Sequence, residues 1–236
     1  MNFTWRVYLV GEDPDLSLLR RELAAGDVLL LTGEQGSYLQ AADFEAYTDA
    51  ADVLTAAQNL ITLLNGMLSR RSYRPVRSAG RIERGGSTWV YVSDTVRVTA
   101  AISADGVVTD AEGAVAPSGP SQLARQLRAA LDHPVVAEAH RILGLTASPS
   151  WHEFYKVYEI LQVACGGGDY ELSRCTGVSQ RRIEKLTATC NHQVLSGDEA
   201  RHAAMKGTPS TSRRITKDEG RAIINELIEG YVSAQQ

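Results

Sequence analysis

The sequence predicts an α+β fold: an N-terminal strand-rich half carrying one long helix, followed by a helical bundle of four or five helices. Three observations carry this reading. Residues 3–10 (FTWRVYLV) alternate polar and apolar side chains and are rich in β-branched and aromatic types, which is strand grammar. Within residues 49–69, Val53, Ala56, Leu60, Leu63, Leu64 and Leu68 recur at helical spacing, so one face of a long helix is apolar. In the last third, Ser150…Glu153 and Thr216…Glu219 have the spacing of capping boxes, each in front of an apolar run of helical period. The expected organisation is an α+β domain over residues 1–115, a linker with short helices over 116–149, and a helical domain over 150–236.

Taken in order, the first strand ends at Gly11 and Pro14, and Leu16, Leu19 and Leu23 start a short helix that Gly26-Asp27 closes. A second apolar run covers 28–31. The long helix of 49–69 has Asp49 and Asp52 near the positive end of its dipole. Asn65 and Gly66 interrupt its end, and a glycine there is tolerated where a close backbone approach compensates for lost propensity. Residues 76–83 and 87–93 form a hairpin about Gly85-Gly86, because paired glycines admit the positive φ of a tight turn. Further strands are expected over 96–103 and 107–109, extending an antiparallel meander, and residues 113–120 (GAVAPSGP) read as a linker. Helices then take over: 122–131, then 134–143 with Pro134 in its first turn, then a helix from Trp151 that Gly166-Gly167-Gly168 ends. Ser179 is the expected cap of 180–190, and the polar stretch 195–212 separates that helix from the last one.

The chain has 236 residues, 44% hydrophobic and 22% charged, a composition that excludes the disordered and fibrous classes. No apolar run reaches the roughly 20 residues needed to cross a bilayer, and the N-terminus lacks signal-peptide features. The three cysteines, Cys165, Cys175 and Cys190, are odd in number, which argues against a disulfide framework. A cytoplasmic protein is expected. Its net charge of -4 hides an asymmetry. Residues 1–120 hold 10 Arg, no Lys and 15 acids, whereas residues 174–221 hold 10 basic residues against 5 acids. The local excess suits an anionic partner such as RNA or a nucleotide, and equally suits a solvated helical surface.

Reactive side chains are densest at Asn191-His192 and Ser196-Gly197-Asp198-Glu199-Ala200-Arg201-His202. In a ribonuclease reading, His192 and His202 are general acid and base, Arg201 clamps the phosphate and Asp198 orients an imidazole. The bland reading has Asp198 capping a turn, Arg201 paired with Asp198 or Glu199, and the histidines hydrogen-bonded in a packed loop. Cys175, Cys190, His192 and His202 are zinc-ligand types, but Cys190-x-His192 is their one close pair, so no metal is expected and the cysteines read as buried small apolar groups. Phosphate-loop, dinucleotide and nucleophile-elbow motifs do not occur in context, and no cofactor is expected. Trp151, Phe154, Tyr155 and Tyr158 read as core or a helix interface, with base stacking as the alternative.

The stretch WHEFYKVYEIL from Trp151, TCNHQ from Thr189, SGDEARHA from Ser196, and AQNLITLLNG from Ala57 together resemble a bacterial protein family without an assigned activity, over most of the chain. More distantly, the helical half is similar to HEPN domains, small helical bundles that usually dimerise and are often RNA-cleaving toxins or antiviral effectors. Their hallmark is Arg, four to six residues, then His. Here that spacing occurs at Arg128 and His133, upstream of the resembling helices, while Arg201 and His202 are adjacent. The resemblance implies RNA binding or cleavage at residues 191–202, a homo-oligomer or partner protein, no membrane, and a place in phage defence. The rival reading is a non-catalytic interaction module in which the same loop fixes helix packing.

Overall fold

In a computed structural model, residues 3–24, 26–68, 73–91, 121–202 and 210–235 are described. The strands expected at 96–103 and 107–109 and the linker at 113–120 lie outside them. The remaining elements make an α+β fold, with the sheet near the N-terminus and most helices in the C-terminal half.

β1 (Trp5–Val10) sits in the middle of a five-stranded antiparallel sheet. It is flanked by β3 (Gly36–Ala41) and β4 (Arg77–Arg84), with β2 (Val28–Gly33) and β5 (Ser87–Val90) outermost. Trp5, Val7 and Leu9 all point inward, as period-2 patterning requires. The β4–β5 hairpin turns at Gly85 and Gly86, both at positive φ (56° and 87°), the conformation a two-residue turn of this hand demands. Sequence patterning missed β3. Its buried side chains include Gln40 beside Leu39 and Ala41, so no apolar alternation announces it. Gln40 is accommodated because its amide donates to the Phe3 carbonyl at 3.1 Å.

α1 (Asp13–Glu22) links β1 to β2, and α2 (Ala50–Leu68) precedes β4. Asn65, buried in the last turn of α2, donates to the Val76 carbonyl at 2.9 Å and accepts from the Tyr73 hydroxyl at 2.9 Å and the Val76 amide at 3.0 Å. This polar side chain is thereby satisfied and fixes where the chain enters the sheet. Gly66 supplies the close approach expected of it. A Cβ there would lie 1.8 Å from the carbonyl oxygen of His140, and a Cβ at Gly144 would lie 1.9 Å from that of Thr62.

Those two contacts join α2 to α4 (Pro134–Gly144), which follows α3 (Gln122–Asp132). The Ser121 hydroxyl accepts from the Ala124 amide as the α3 cap and donates to the Glu22 carbonyl at 2.7 Å. Leu123, Leu127, Val136 and Leu143 are buried in the same apolar core as the sheet, so the segment 116–149 contributes to that core from α3 and α4. α5 (Trp151–Ala164) begins at a complete capping box, as expected. It packs on α4, on α7 (Gln180–Asn191) and on α9 (Lys217–Ala234), and α6 (Asp169–Thr176) lies against α9. Ser179 is the residue before α7, but its side chain makes no capping hydrogen bond.

Trp151, Phe154, Val157, Tyr158 and Leu161 are buried within the chain, so the aromatic stripe of α5 is core. Of the cysteines, Cys190 is fully buried, whereas Cys165 and Cys175 are only half-buried at the core's edge, a correction to their reading as buried groups. Among the described residues, no helix is long and apolar enough to cross a membrane.

Candidate functional site

The 191–202 loop is built at the C-terminal end of α7. His192 leaves the helix with extended φ −104° and ψ 120°, and the one-turn α8 (Gln193–Ser196) follows. Gly197 then reverses the chain at φ 65° and ψ −143°, a region open to glycine and costly for other residues. A short 3-10 turn, Gly197–Glu199, brings the chain back. The amide of Arg201 donates to the Cys190 carbonyl at 2.8 Å, satisfying one of the carbonyls that a helix leaves open at its end.

This return makes His192 and His202 partners in an isolated parallel β-bridge. This backbone pairing sets His192 and His202, ten positions apart in sequence, side by side. His192 is half-buried and His202 exposed. Asp198 is exposed, and among the described residues its carboxylate hydrogen-bonds neither imidazole. Asn191 Oδ1 is buried and has no hydrogen-bond partner among the described residues.

Arg201 is held by α5 rather than by Asp198 or Glu199. Its guanidinium lies 3.3 Å from Glu159 Oε1 and 4.3 Å over the Tyr155 ring. Glu199 reaches the start of the same helix, where it pairs with Lys217 Nζ and accepts from the Trp151 amide at 3.4 Å. Lys217 also donates to the Pro149 carbonyl at 3.0 Å and sits 5.1 Å over the Trp151 ring. Trp151, Tyr155 and Glu159 are spaced by four, one stripe along α5, and the loop lies along it with a cation over each ring. Sequence reading missed these partners, although the spacing of the stripe was visible. Where base stacking was the alternative, the protein's own cations occupy the Trp151 and Tyr155 rings.

The basic cluster also meets the loop. Thr189, fully buried one turn before His192, shares its hydroxyl proton between the Lys185 carbonyl at 2.9 Å and the Arg213 carbonyl at 3.2 Å and accepts from the Ile215 amide at 3.3 Å. The exposed Arg213 and Arg214 are thereby fixed beside the end of α7. Histidines and arginines gathered at one helix end are the side-chain types that bind a phosphodiester and move protons on either side of it. Among the described residues, no cluster of His, Cys, Asp or Glu is placed to hold a metal ion.

Neither of two cavities among the described residues is lined by the 191–202 loop. A groove of about 410 Å³ between α4 and α5 ends at Glu159, and a cavity of about 740 Å³ lies elsewhere, beneath α3. Arg128 and His133 line the latter, and Arg128 pairs with Asp27 and Asp132 at 3.4 and 3.1 Å. Comparison with known proteins gives no match to a family model, to a curated protein or to a solved structure.

Proposed function

We propose that this chain is a HEPN-like, cytoplasmic RNA-binding protein whose 191–202 loop engages the phosphodiester backbone and cleaves it, in a bacterial defence setting. The observation that supports the reading is the backbone bridge between His192 and His202, formed at the end of α7 against which the Arg213 backbone is also anchored. In the reaction, one imidazole takes the proton of a ribose 2′-hydroxyl as that oxygen attacks phosphorus. The other gives a proton to the departing 5′-oxygen, leaving a 2′,3′-cyclic phosphate. Arg201, steadied by Glu159 and Tyr155, stabilises the charge on the phosphorus oxygens.

Fluorescence anisotropy with a labelled single-stranded RNA tests the binding step. Affinity is expected to fall with salt, and Arg213→Ala/Arg214→Ala is expected to flatten the logarithmic salt slope by roughly 1.4, the value for two phosphate contacts on a single strand. No binding at low salt, or a slope unchanged in the double variant, contradicts the reading.

A second reading rests on a different observation. Glu199 and Arg201 tie the loop to both ends of the α5 stripe through Lys217, Trp151, Tyr155 and Glu159, which is what a non-catalytic interaction module that uses the loop to lock its helices requires.

A further inference from the structure

The cavity of about 740 Å³ beneath α3 is independent of the loop and of the RNA reading. Its size is within the range of small-molecule sites. Leu127 and Leu131 of α3, Val136 of α4, and Ile228 and Val232 of α9 give it apolar walls, and His140 contributes to its lining. His140 is 3% exposed, and both of its ring nitrogens are buried with no hydrogen-bond partner among the described residues. A buried polar group in that condition is rare and calls for an explanation. Its backbone is fixed by the α2–α4 contact at Gly66, so the freedom that remains is in the side chain. As the ring stands neither nitrogen reaches the cavity surface, so a ligand bonded to His140 requires rotation of the ring about the Cβ–Cγ bond.

The rim carries both signs of charge, Arg125 and Arg128 against Asp27, Asp132 and Glu229, and so selects neither an anion nor a cation. Arg128 is engaged by Asp27 and Asp132, and Glu229 accepts from the Gln122 amide at 3.5 Å. Burial pushes the His140 imidazole down to about 4, so at neutral pH it has one donor and one acceptor and no charge. A hydroxyl group can meet either nitrogen, whereas a carboxylate or an ammonium bonded to the neutral His140 ring would give up its hydration beside Leu127, Val136 and Ile228.

We propose that this cavity is a binding site for a neutral, largely apolar small molecule bearing a hydroxyl group that hydrogen-bonds to His140. Isothermal titration of the full chain at pH 7 with 2-naphthol and with 2-naphthoate, two probes of similar size that differ in charge, tests it. The expected result is saturable one-to-one binding of 2-naphthol with a raised melting temperature, and binding of 2-naphthoate at least about tenfold weaker. His140→Phe is expected to weaken 2-naphthol binding about tenfold. Ala129→Trp on α3 and Val232→Trp on α9, at two residues that line the cavity, are expected to abolish it while circular dichroism shows the fold kept. The two tryptophan variants keep the test decisive if His140→Phe does not fold. No saturable binding of 2-naphthol overturns the proposal, as do equal affinities for the two probes, unaltered binding in a folded His140→Phe, or binding that survives both tryptophan variants.

Discussion

Arg201 stacks its guanidinium 4.3 Å above the ring of Tyr155 while pairing with Glu159 one turn further along α5. The side chain that the RNA reading needs as a phosphate clamp is therefore also a strut between the loop and the helical bundle. Both partners of the ion pair are partly exposed, at 33% and 42%, so screening keeps the pair weak and the cation–π contact is the larger share. Arg201→Ala is expected to cost about 1 kcal/mol, read as a drop of about 2–4 °C in Tm. Asp198→Ala, at an exposed carboxylate, is expected to leave Tm within about 1 °C. Thermal melts of both variants check this, and equal losses in the two would contradict the strut.

Glycine at the α2–α4 crossing is expected to be irreplaceable. Gly66→Ala and Gly144→Ala place a methyl group 1.8 and 1.9 Å from backbone oxygens, and backbone cannot give way as a side-chain tip does. Each is expected to destabilise by about 3 kcal/mol or more in urea denaturation, opposite in sign to the gain of up to about 1 kcal/mol that alanine brings at an exposed helical glycine.

The two capping boxes and the unbonded cap separate cleanly. Ser150 and Thr216 each accept from the amide three residues on, at 3.4 and 3.2 Å, and substitution of either by alanine is expected to cost about 1 kcal/mol. Ser179 makes no such bond, so Ser179→Ala is expected to cost no more than a few tenths of a kcal/mol. Denaturation curves of the three variants measure the difference.

His140 couples stability to pH. Its folded value, about 4, lies below the ordinary 6.5 because burial disfavours the cation. Between those values the unfolded chain binds the extra proton, so stability falls as pH drops below about 6.5 and the loss is complete below about 4. The full loss is roughly 3 kcal/mol. Urea melts between pH 7 and 4 are expected to show this slope in the wild type and a shallower one in His140→Phe. Parallel slopes would show that His140 is not responsible.

What the sequence disclosed and what it hid follow from the range of the interactions. β1, α2, the β4–β5 hairpin and the capped starts of α5 and α9 rest on local periodicity, paired glycines or residues three apart, all visible in a single chain. Gly66 was legible as a close approach, but not its partner His140 on α4. β3 was hidden because Gln40 takes an inward place that only a bond to Phe3 makes tolerable. At the loop, residue types and position were legible. The bridge between His192 and His202, the capture of Arg201 by Tyr155 and Glu159, and the anchoring of Arg213 through Thr189 depend on contacts between separate elements, which no spacing encodes. The cavity beside His140 draws its walls from α3, α4 and α9, and had no linear signature.

The central claim is that the bridged imidazoles act on bound RNA, and the most direct measurement is cleavage of an end-labelled single-stranded RNA by wild type, His192→Ala and His202→Ala, each first shown to melt as a folded protein. The expected result is product ending in a 2′,3′-cyclic phosphate from the wild type, with the rate reduced about 10²–10⁴-fold in each histidine variant. No cleavage by the wild type, or equal cleavage by all three proteins, would contradict it.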